Sequence, residues 1–526
     1  MRRLFLAAVI VLGLAAVPAL AQSSSGGTPS STDTTASSTD PTPASPAAQQ
    51  PAPAGAPKTP VADPNAQPPA QPTPRPEPQT PGVRGGVAAT DQVTIGGYGS
   101  VRYETNSLDE PKAAGFDFRR FVLATDISPN DRLKAYAEIE FERFGNIEIE
   151  KAVERTTNGV SFKEELEGGN GSEISIEQMW GQYKFSAPFS VRFGQILTPL
   201  GRFNINHDDD RWNIPRRTLV DRNVPVLPVK AAWTELGAGF VGSMDVGKSG
   251  QLLYQAYVVN GAILDFAVEK AIESEIDEPG ITKLAAEFSL QRGPVNGEGG
   301  TRAGAWRLAY SPQLGSEIAV SGYHGKYTPE FMDPIHANIN AFGVDGIYER
   351  GALAVEGEYI NADFGNHERV VQGFIDAVTG STGIPPLPGA EGIETEFTIK
   401  NLDSARNGFW LEGRYKFWPT KWGEKTIVHK GFDDPQLTWV LRWERATVKN
   451  AIEEVAIENG EIDFADPQKL RQERTTIGLS YRPIQSVVFA IALEHNRRLE
   501  GDVLLFPFGA PSKAYTDLIV GLAFGF

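Results

Sequence analysis

The stretch Tyr515-Thr516-Asp517-Leu518-Ile519-Val520-Gly521-Leu522-Ala523-Phe524-Gly525-Phe526 decides the fold. At a period of two, Leu518, Val520, Leu522, Phe524 and Phe526 fall on one face, and Asp517, Ile519, Gly521, Ala523 and Gly525 on the other. The first face is apolar and the second small or polar, which suits a strand standing between lipid and a barrel lumen. Gly521, Phe524 and Phe526 read as the terminal assembly signal, with Phe526 in an interfacial aromatic girdle. An edge strand of a soluble sandwich shows the same alternation, so the rest of the chain has to choose.

The amino-terminus favours export. Arg2 and Arg3 precede an apolar run from Leu4 to Val17, and Ala19-Leu20-Ala21 forms a small-x-small cleavage site, so residues 1–21 read as a signal peptide. No later segment offers about 18 uninterrupted apolar residues, so any membrane crossing is made by strands. The absence of cysteine fits a bacterial envelope protein and removes thiol catalysis and cysteine-bound metals. A net charge of -17 argues against nucleic acid, and six scattered histidines against zinc. Neither a cofactor nor a metal is expected. Residues 22–90, rich in Pro, Ala, Ser and Thr, cannot bury enough surface to fold and read as a disordered periplasmic linker.

From residue 91 to 526 the chain changes to short alternating runs bounded by turn residues, the composition of an all-β transmembrane antiparallel barrel. Short joints such as Ser128-Pro129-Asn130-Asp131, Gly247-Lys248-Ser249-Gly250 and Glu349-Arg350-Gly351 alternate with long connections and bring the count to about sixteen. An even count returns both ends to the periplasm. Ile281 to Gln291 is strand-like but surplus, and fits an excursion within a long outer loop. Leu133, Ala135, Ala137, Ile139 and Phe141 alternate with Lys134, Tyr136, Glu138, Glu140 and Glu142. The same parity makes Arg192, Glu356, Glu358, Glu412, Arg414, Lys416, Arg442, Glu444 and Arg482 lumen-facing candidates. Trp306, Trp410, Trp439 and Trp443 are expected at the girdle.

The longest stretch without strand pattern runs from Thr198 to Arg222, and structureless loops of this length are usually functional. It carries Arg202, Arg211, Arg216, Arg217 and Arg222 beside His207, Asp208, Asp209, Asp210 and Asp221, with Trp212 between them. Guanidinium groups offer bidentate hydrogen bonds to phosphate or carboxylate, so these residues are the candidate constriction. Their other reading is that the arginines pair with neighbouring aspartates and pin the loop to the wall.

Phe193-Gly194-Gln195-Ile196-Leu197-Thr198-Pro199-Leu200-Gly201-Arg202-Phe203, the following His207-Asp208-x-Asp210-x-Trp212, and Val220-Asp221-Arg222-Asn223-Val224-Pro225 resemble the phosphate-selective porin family. Gly115 to Phe121 and Val355 to Tyr359 are similar to it as well. The resemblance covers residues 93–526 and implies a sixteen-stranded, usually homotrimeric outer-membrane porin whose third outer loop folds into the lumen. The expected partners are outer-membrane lipid and small hydrophilic solutes or ions, phosphate among them. The inward charges are nevertheless mixed in sign, unlike the basic path associated with the family's phosphate members.

Gly242-Ser243-Met244-Asp245-Val246-Gly247-Lys248-Ser249 matches a phosphate-loop pattern, but a strand follows it where a helix is needed. A Ca²⁺ site at His207 to Asp210 lacks a full ligand spacing. Two rival functions stand beside the porin: a structural protein tethering the outer membrane to the cell wall through the Pro-rich arm, and a barrel enzyme, for which nothing fixes a nucleophile beside a base.

Overall fold

This computed structural model describes residues 86–105, 114–143, 147–156, 159–168, 173–221, 226–230, 232–270, 281–294, 300–332, 335–379, 394–418, 432, 435–458, 461–464, 468–501 and 514–526. The signal segment 1–21, residues 22–85 of the linker and Arg222 lie outside the described residues, and with them the tether reading. Val87–Thr90, at the end of the expected linker, pairs with the strand that follows it.

Sixteen strands make the wall: β1 Val93–Glu104, β2 Gly115–Asn130, β3 Leu133–Glu142, β4 Glu173–Ser186, β5 Phe189–Leu197, β6 Thr234–Val246, β7 Gly250–Val259, β8 Ala303–Gln313, β9 Ser316–Lys326, β10 Asn338–Arg350, β11 Leu353–Phe364, β12 Ala405–Phe417, β13 Gln436–Glu458, β14 Gln468–Ile484, β15 Val487–Glu500 and β16 Ala514–Gly525. Each pairs antiparallel with its neighbour, and β1 pairs with β16 from Tyr98 opposite Gly525 to Glu104 opposite Ile519. The sheet is therefore a closed antiparallel barrel. Closure satisfies the last row of backbone donors and acceptors, which an open edge would leave bare in lipid.

The seam carries its own packing. Phe526 N–H donates to the Gly97 carbonyl at 3.0 Å, and Gly97 N–H returns the bond at 3.1 Å. The Phe526 ring stacks on Phe121 with centroids 5.8 Å apart, beside the space left by the missing side chain of Gly97.

Period-two alternation turns the barrel inside out relative to a soluble protein. Leu123, Ile139, Phe193, Val355, Leu441, Ile477, Leu493 and Phe524 are exposed on the outer surface, while Arg120, Glu412, Arg442, Glu444, Arg474, Glu494 and Asp517 are buried within. An apolar exterior around a charged interior is the arrangement a bilayer selects. Trp306, Trp439 and Trp443 lie on the outer face as expected, but Trp410 does not. It shares the parity of Glu412 and is buried inside, because alternation along a strand outranks the preference of tryptophan for interfaces.

Bulges at two places near the interior site break the simple alternation. Ser100 opposes Arg120 while Val101 opposes Phe118, leaving Arg119 as the extra residue; Glu138 opposes Gln178 while Ile139 opposes Ile176, leaving Glu177. Each bulge turns two consecutive residues inward, so Arg119 and Arg120, and likewise Glu177 and Gln178, are all buried.

The long connections hold structure of their own. Ile281–Gln291 pairs antiparallel with Ile263–Lys270 and parallel with Glu394–Leu402, off the wall. The connection after β11 contains a helix, His367–Thr379, that strand periodicity overlooked. Val370, Val371, Phe374 and Ile375 form its buried stripe, and Phe374 meets Phe266 and Phe288 edge-on at 4.9 and 5.0 Å.

A Cβ at position 97 would lie 1.9 Å from the Val122 carbonyl oxygen and 3.2 Å from the Phe526 ring. Gly97→Val should therefore lower the fraction of heat-modifiable, closed barrel on a gel after refolding. An undiminished folded band would contradict this account of the seam.

Candidate functional site

Among the described residues of 198–233, between β5 and β6, the regular structure is a short helix, Arg202–Ile205, and one 3-10 turn, Asp209–Arg211. Asn204 closes the base of this segment: its side-chain amide donates to the Thr198 carbonyl at 2.8 Å, and its oxygen accepts from Trp233 N–H at 2.8 Å. Glycine is required at position 201, where φ is 72° and a Cβ would come within 2.8 Å of Glu358 Oε2. The resulting turn brings the N–H groups of Arg202 and Phe203 onto Glu358, the latter at 2.7 Å, and satisfies donors that a helix start leaves open. The Arg202 guanidinium bonds Glu356 and, at 3.0 Å, Glu317.

From this anchor on β9 and β11 the segment reaches the other side of the interior. Asp209 accepts a hydrogen bond from Ser100 Oγ on β1 at 2.6 Å. Arg482 on β14 donates to the carbonyls of Asp210 at 2.8 Å and Trp212 at 3.0 Å. Ile214 sits over Gly478 and Pro215 over Gly521; a Cβ on either glycine would come within 2.6 or 2.7 Å of them. Gly521, expected to serve terminal assembly, thus seats the segment on its inward face.

Arg216 is the hub of the far anchor. It lies 2.5 Å from Glu104, 3.2 Å from Glu494 and 3.5 Å from Asp517, side chains of β1, β15 and β16. Around it, Arg442 and Arg474 donate to the carbonyls of Arg216 and Arg217, and Leu219 N–H donates to Glu444 at 3.0 Å. Arg442 pairs with Glu412 at 2.6 Å, and Arg474 with Glu444 at 2.6 Å. Charges removed from water need this many partners, because removing one half of a buried pair costs about 3–5 kcal/mol.

The expected site residues therefore divide. Arg202, Arg216 and Arg217 are buried and tied to carboxylates, Arg217 to Asp221 at 3.2 Å. Arg211 pairs with Asp208 at 2.7 Å and keeps part of its surface open. Trp212 is no free platform: its ring stacks on Phe203 at 5.0 Å, meets Trp410 edge-on at 5.5 Å and lies 5.1 Å from the Arg442 guanidinium. Arg442 and Glu444 face inward and are covered by the segment. Glu138 bonds Gln178 at 2.7 Å, Glu140 pairs with Arg120 at 2.7 Å, Arg192 lies over Trp180, Arg414 pairs with Glu356 at 2.7 Å, and Lys134 with Asp126 at 3.0 Å.

Residues not singled out from sequence complete the site: Glu104, Arg119, Arg120, Glu177, Arg474, Glu494 and Asp517. Parity alone marks Glu104, Arg474, Glu494 and Asp517, whereas Arg119 and Glu177 depend on bulges. The phosphate-loop lookalike 242–249 lies in β6 and the turn after it, with Gly247 at φ 66° and Ser249 bonded to the Pro312 carbonyl.

His207 lies 3.4 Å from Glu177 and 3.6 Å from Asp208. Burial opposes its charge, but the two carboxylates outweigh burial and hold its pKa above the ordinary histidine value. Burial likewise opposes ionisation of Asp209, and Arg120 and Arg217 overcome it, so this carboxyl titrates below its usual range.

No family model matches the chain. An uncharacterised protein of Aquifex aeolicus (strain VF5) is 31% identical over 170 residues, an alignment spanning 32% of this chain and 32% of that protein. Among solved structures, OmpT of Vibrio cholerae is 10% identical over 83% of this chain and 99% of that one, with a TM-score of 0.41. Salmonella typhi OmpF in complex with daunomycin is 10% identical over 82% and 97%, at 0.42. An anion-selective porin from Comamonas acidovorans is 11% identical over 82% and 99%, at 0.39. At these identities the likeness goes no further than the general barrel architecture, and the resemblance to the phosphate-selective family gains no support from it.

Two outcomes follow from the anchors. Arg216→Met takes a cationic partner from each of three buried carboxylates and should expose residues 198–221 to protease in an otherwise folded barrel; unchanged resistance would contradict its role as hub. Because the folded-state pKa of His207 is raised, its contacts stabilise the segment fully below about pH 6.5 and are lost as pH rises through the folded value. Protease nicking should accelerate above that value in the wild type, and His207→Gln should abolish the step; a wild-type rate without pH dependence would contradict this.

Proposed function

We propose that this chain is an outer-membrane channel through which small hydrophilic solutes or ions diffuse passively, with residues 198–222 as its constriction. The observation that carries the reading is the combination of a charged barrel interior with a segment anchored both on β9 and β11 and on β1 and β13–β16. A wall of sixteen strands encloses space for water, and a segment fixed at both sides narrows it without relying on the stiffness of its own backbone. The channel performs no covalent chemistry. Assembly as a homotrimer belongs to the same reading and is checked by mass in mild detergent.

Ion preference follows from which interior charges remain partly open. Arg202, Arg216 and Arg217 are committed to buried carboxylates, which leaves them little to offer phosphate. Among the interior charges, Asp117, Asp126, Glu142, Asp208, Asp209 and Glu349 retain side-chain exposures of 13–35%, and Lys134, Arg211, Arg406, Arg414 and Lys416 of 10–36%. These open charges are mixed in sign, and the net charge of -17 of the chain favours a weak cation preference. An anion filter made of the segment's arginines is not what this charge distribution favours.

Single-channel recording in a planar bilayer tests both parts. Open steps with a reversal potential of cation-preferring sign across a KCl gradient, and no block by added phosphate, are expected. Arg211→Ala should strengthen the cation preference. Anion preference blocked by phosphate would overturn the charge reading, and silence from folded protein would overturn the channel itself.

A further inference from the structure

On the outer face of β13–β15 the register stacks three rows of side chains. Leu441, Ile477 and Leu493 align across the strands; Trp443, Thr475 and His495 form the next row towards the long connections; Arg445, Glu473 and Arg497 form the third. Successive rows lie about 7 Å apart along the strands. The first row is exposed and wholly apolar, and Trp443 is exposed above it. The arginine row therefore stands just beyond an aromatic girdle residue, at the level where a bilayer carries its headgroups.

This row is built rather than incidental. The Arg445 guanidinium lies 5.5 Å from the Trp443 ring and bonds Glu473 at 2.7 Å. A shift in the β14–β15 register brings Glu500 opposite Arg471, where it pairs with Arg471 at 3.2 Å and Lys469 at 3.1 Å. Arg497 is exposed and has no carboxylate partner among the described residues. Lys469, Arg445, Arg471 and Arg497 thus face two carboxylates, an excess of two positive charges on a chain of net charge -17. At the corresponding outer rim of β9–β11 the wall presents His324 bonded to Asn340 and Asn361 bonded to Asp363, with no such excess.

We propose that Arg445, Arg471 and Arg497, with Lys469, form a site for the phosphate groups of an anionic lipid in the leaflet nearer the long connections. Planar guanidinium groups present paired N–H donors to phosphate oxygens, and Glu473 and Glu500 hold two of them in place. The exposed ion pairs are worth little by themselves in water, so a phosphate can share their guanidiniums without dismantling a costly network. The site lies outside the lumen, so it stands or falls independently of conduction.

The test uses the full-length protein in mild detergent and native mass spectrometry. Probes are a diphosphorylated glucosamine lipid, its dephosphorylated form, and inorganic phosphate as competitor. Retention of the diphosphorylated lipid alone is expected, with at least about a tenfold loss in the Arg445→Gln/Arg471→Gln/Arg497→Gln variant. Heat-modifiability on a gel verifies that the variant is folded, and single substitutions at Arg497 and Arg471 should each give a smaller loss. Equal retention by the folded triple variant, or equal retention of the dephosphorylated lipid, would overturn the proposal. Displacement by millimolar inorganic phosphate would assign the patch to free phosphate and overturn the lipid source.

Discussion

Every backbone donor and acceptor that enters lipid must be bonded within the protein, and a sheet meets that demand only by closing on itself. The pairing of β1 with β16 is thus the interaction on which the rest depends. Once the seam is closed, each strand has one face to lipid and one to the interior, and side-chain parity determines where every charge lies. Gly97 and Phe526 serve this seam directly, and the glycines facing inward serve what the barrel encloses.

A closed wall with a charged interior creates a second demand, since charges withdrawn from water need partners. The segment after β5 meets it. Arg216 gathers Glu104, Glu494 and Asp517; Glu358 receives the N–H groups that start the short helix; and Gly478 and Gly521 leave room for Ile214 and Pro215. Of the arginines that look like a filter in sequence, Arg202, Arg216 and Arg217 are held in buried ion pairs. On the proposed reading, selectivity then passes to the charges left partly open, which are mixed in sign. The outer surface repeats the logic with opposite exposure: on the proposed lipid site, Glu473 and Glu500 pair part of the positive charge of β13–β15 and lipid phosphates would complete the pairing.

Much of the wall is legible in sequence because alternation is a two-state signal. The sixteen wall strands lie where runs such as Leu133 to Phe141 and Leu518 to Phe526 place them, and Ile281–Gln291 lies off the wall as a surplus segment should. What escapes is whatever breaks or overrides a period of two. The bulges at Arg119 and Glu177 turn neighbouring residues to the same side and have no local signature. Trp410 obeys parity against its residue type, and the stripe Val370, Val371, Phe374 and Ile375 follows helical spacing inside a connection. The segment's composition shows that Thr198 to Arg222 is special, but its partners on β1, β11 and β13–β16 are distant in sequence, so whether its arginines meet solute or wall is decided only by tertiary contacts.

The most direct measurement is the single-channel conductance of a barrel from which residues 205–227 have been excised and bridged by a short Gly-Ser link, compared with the intact chain under identical salt. If the segment narrows a water-filled lumen, the excised barrel gives distinctly larger open steps with an unchanged heat-modifiable fold. Equal steps from the two folded proteins would contradict that account and place the restriction elsewhere in the barrel.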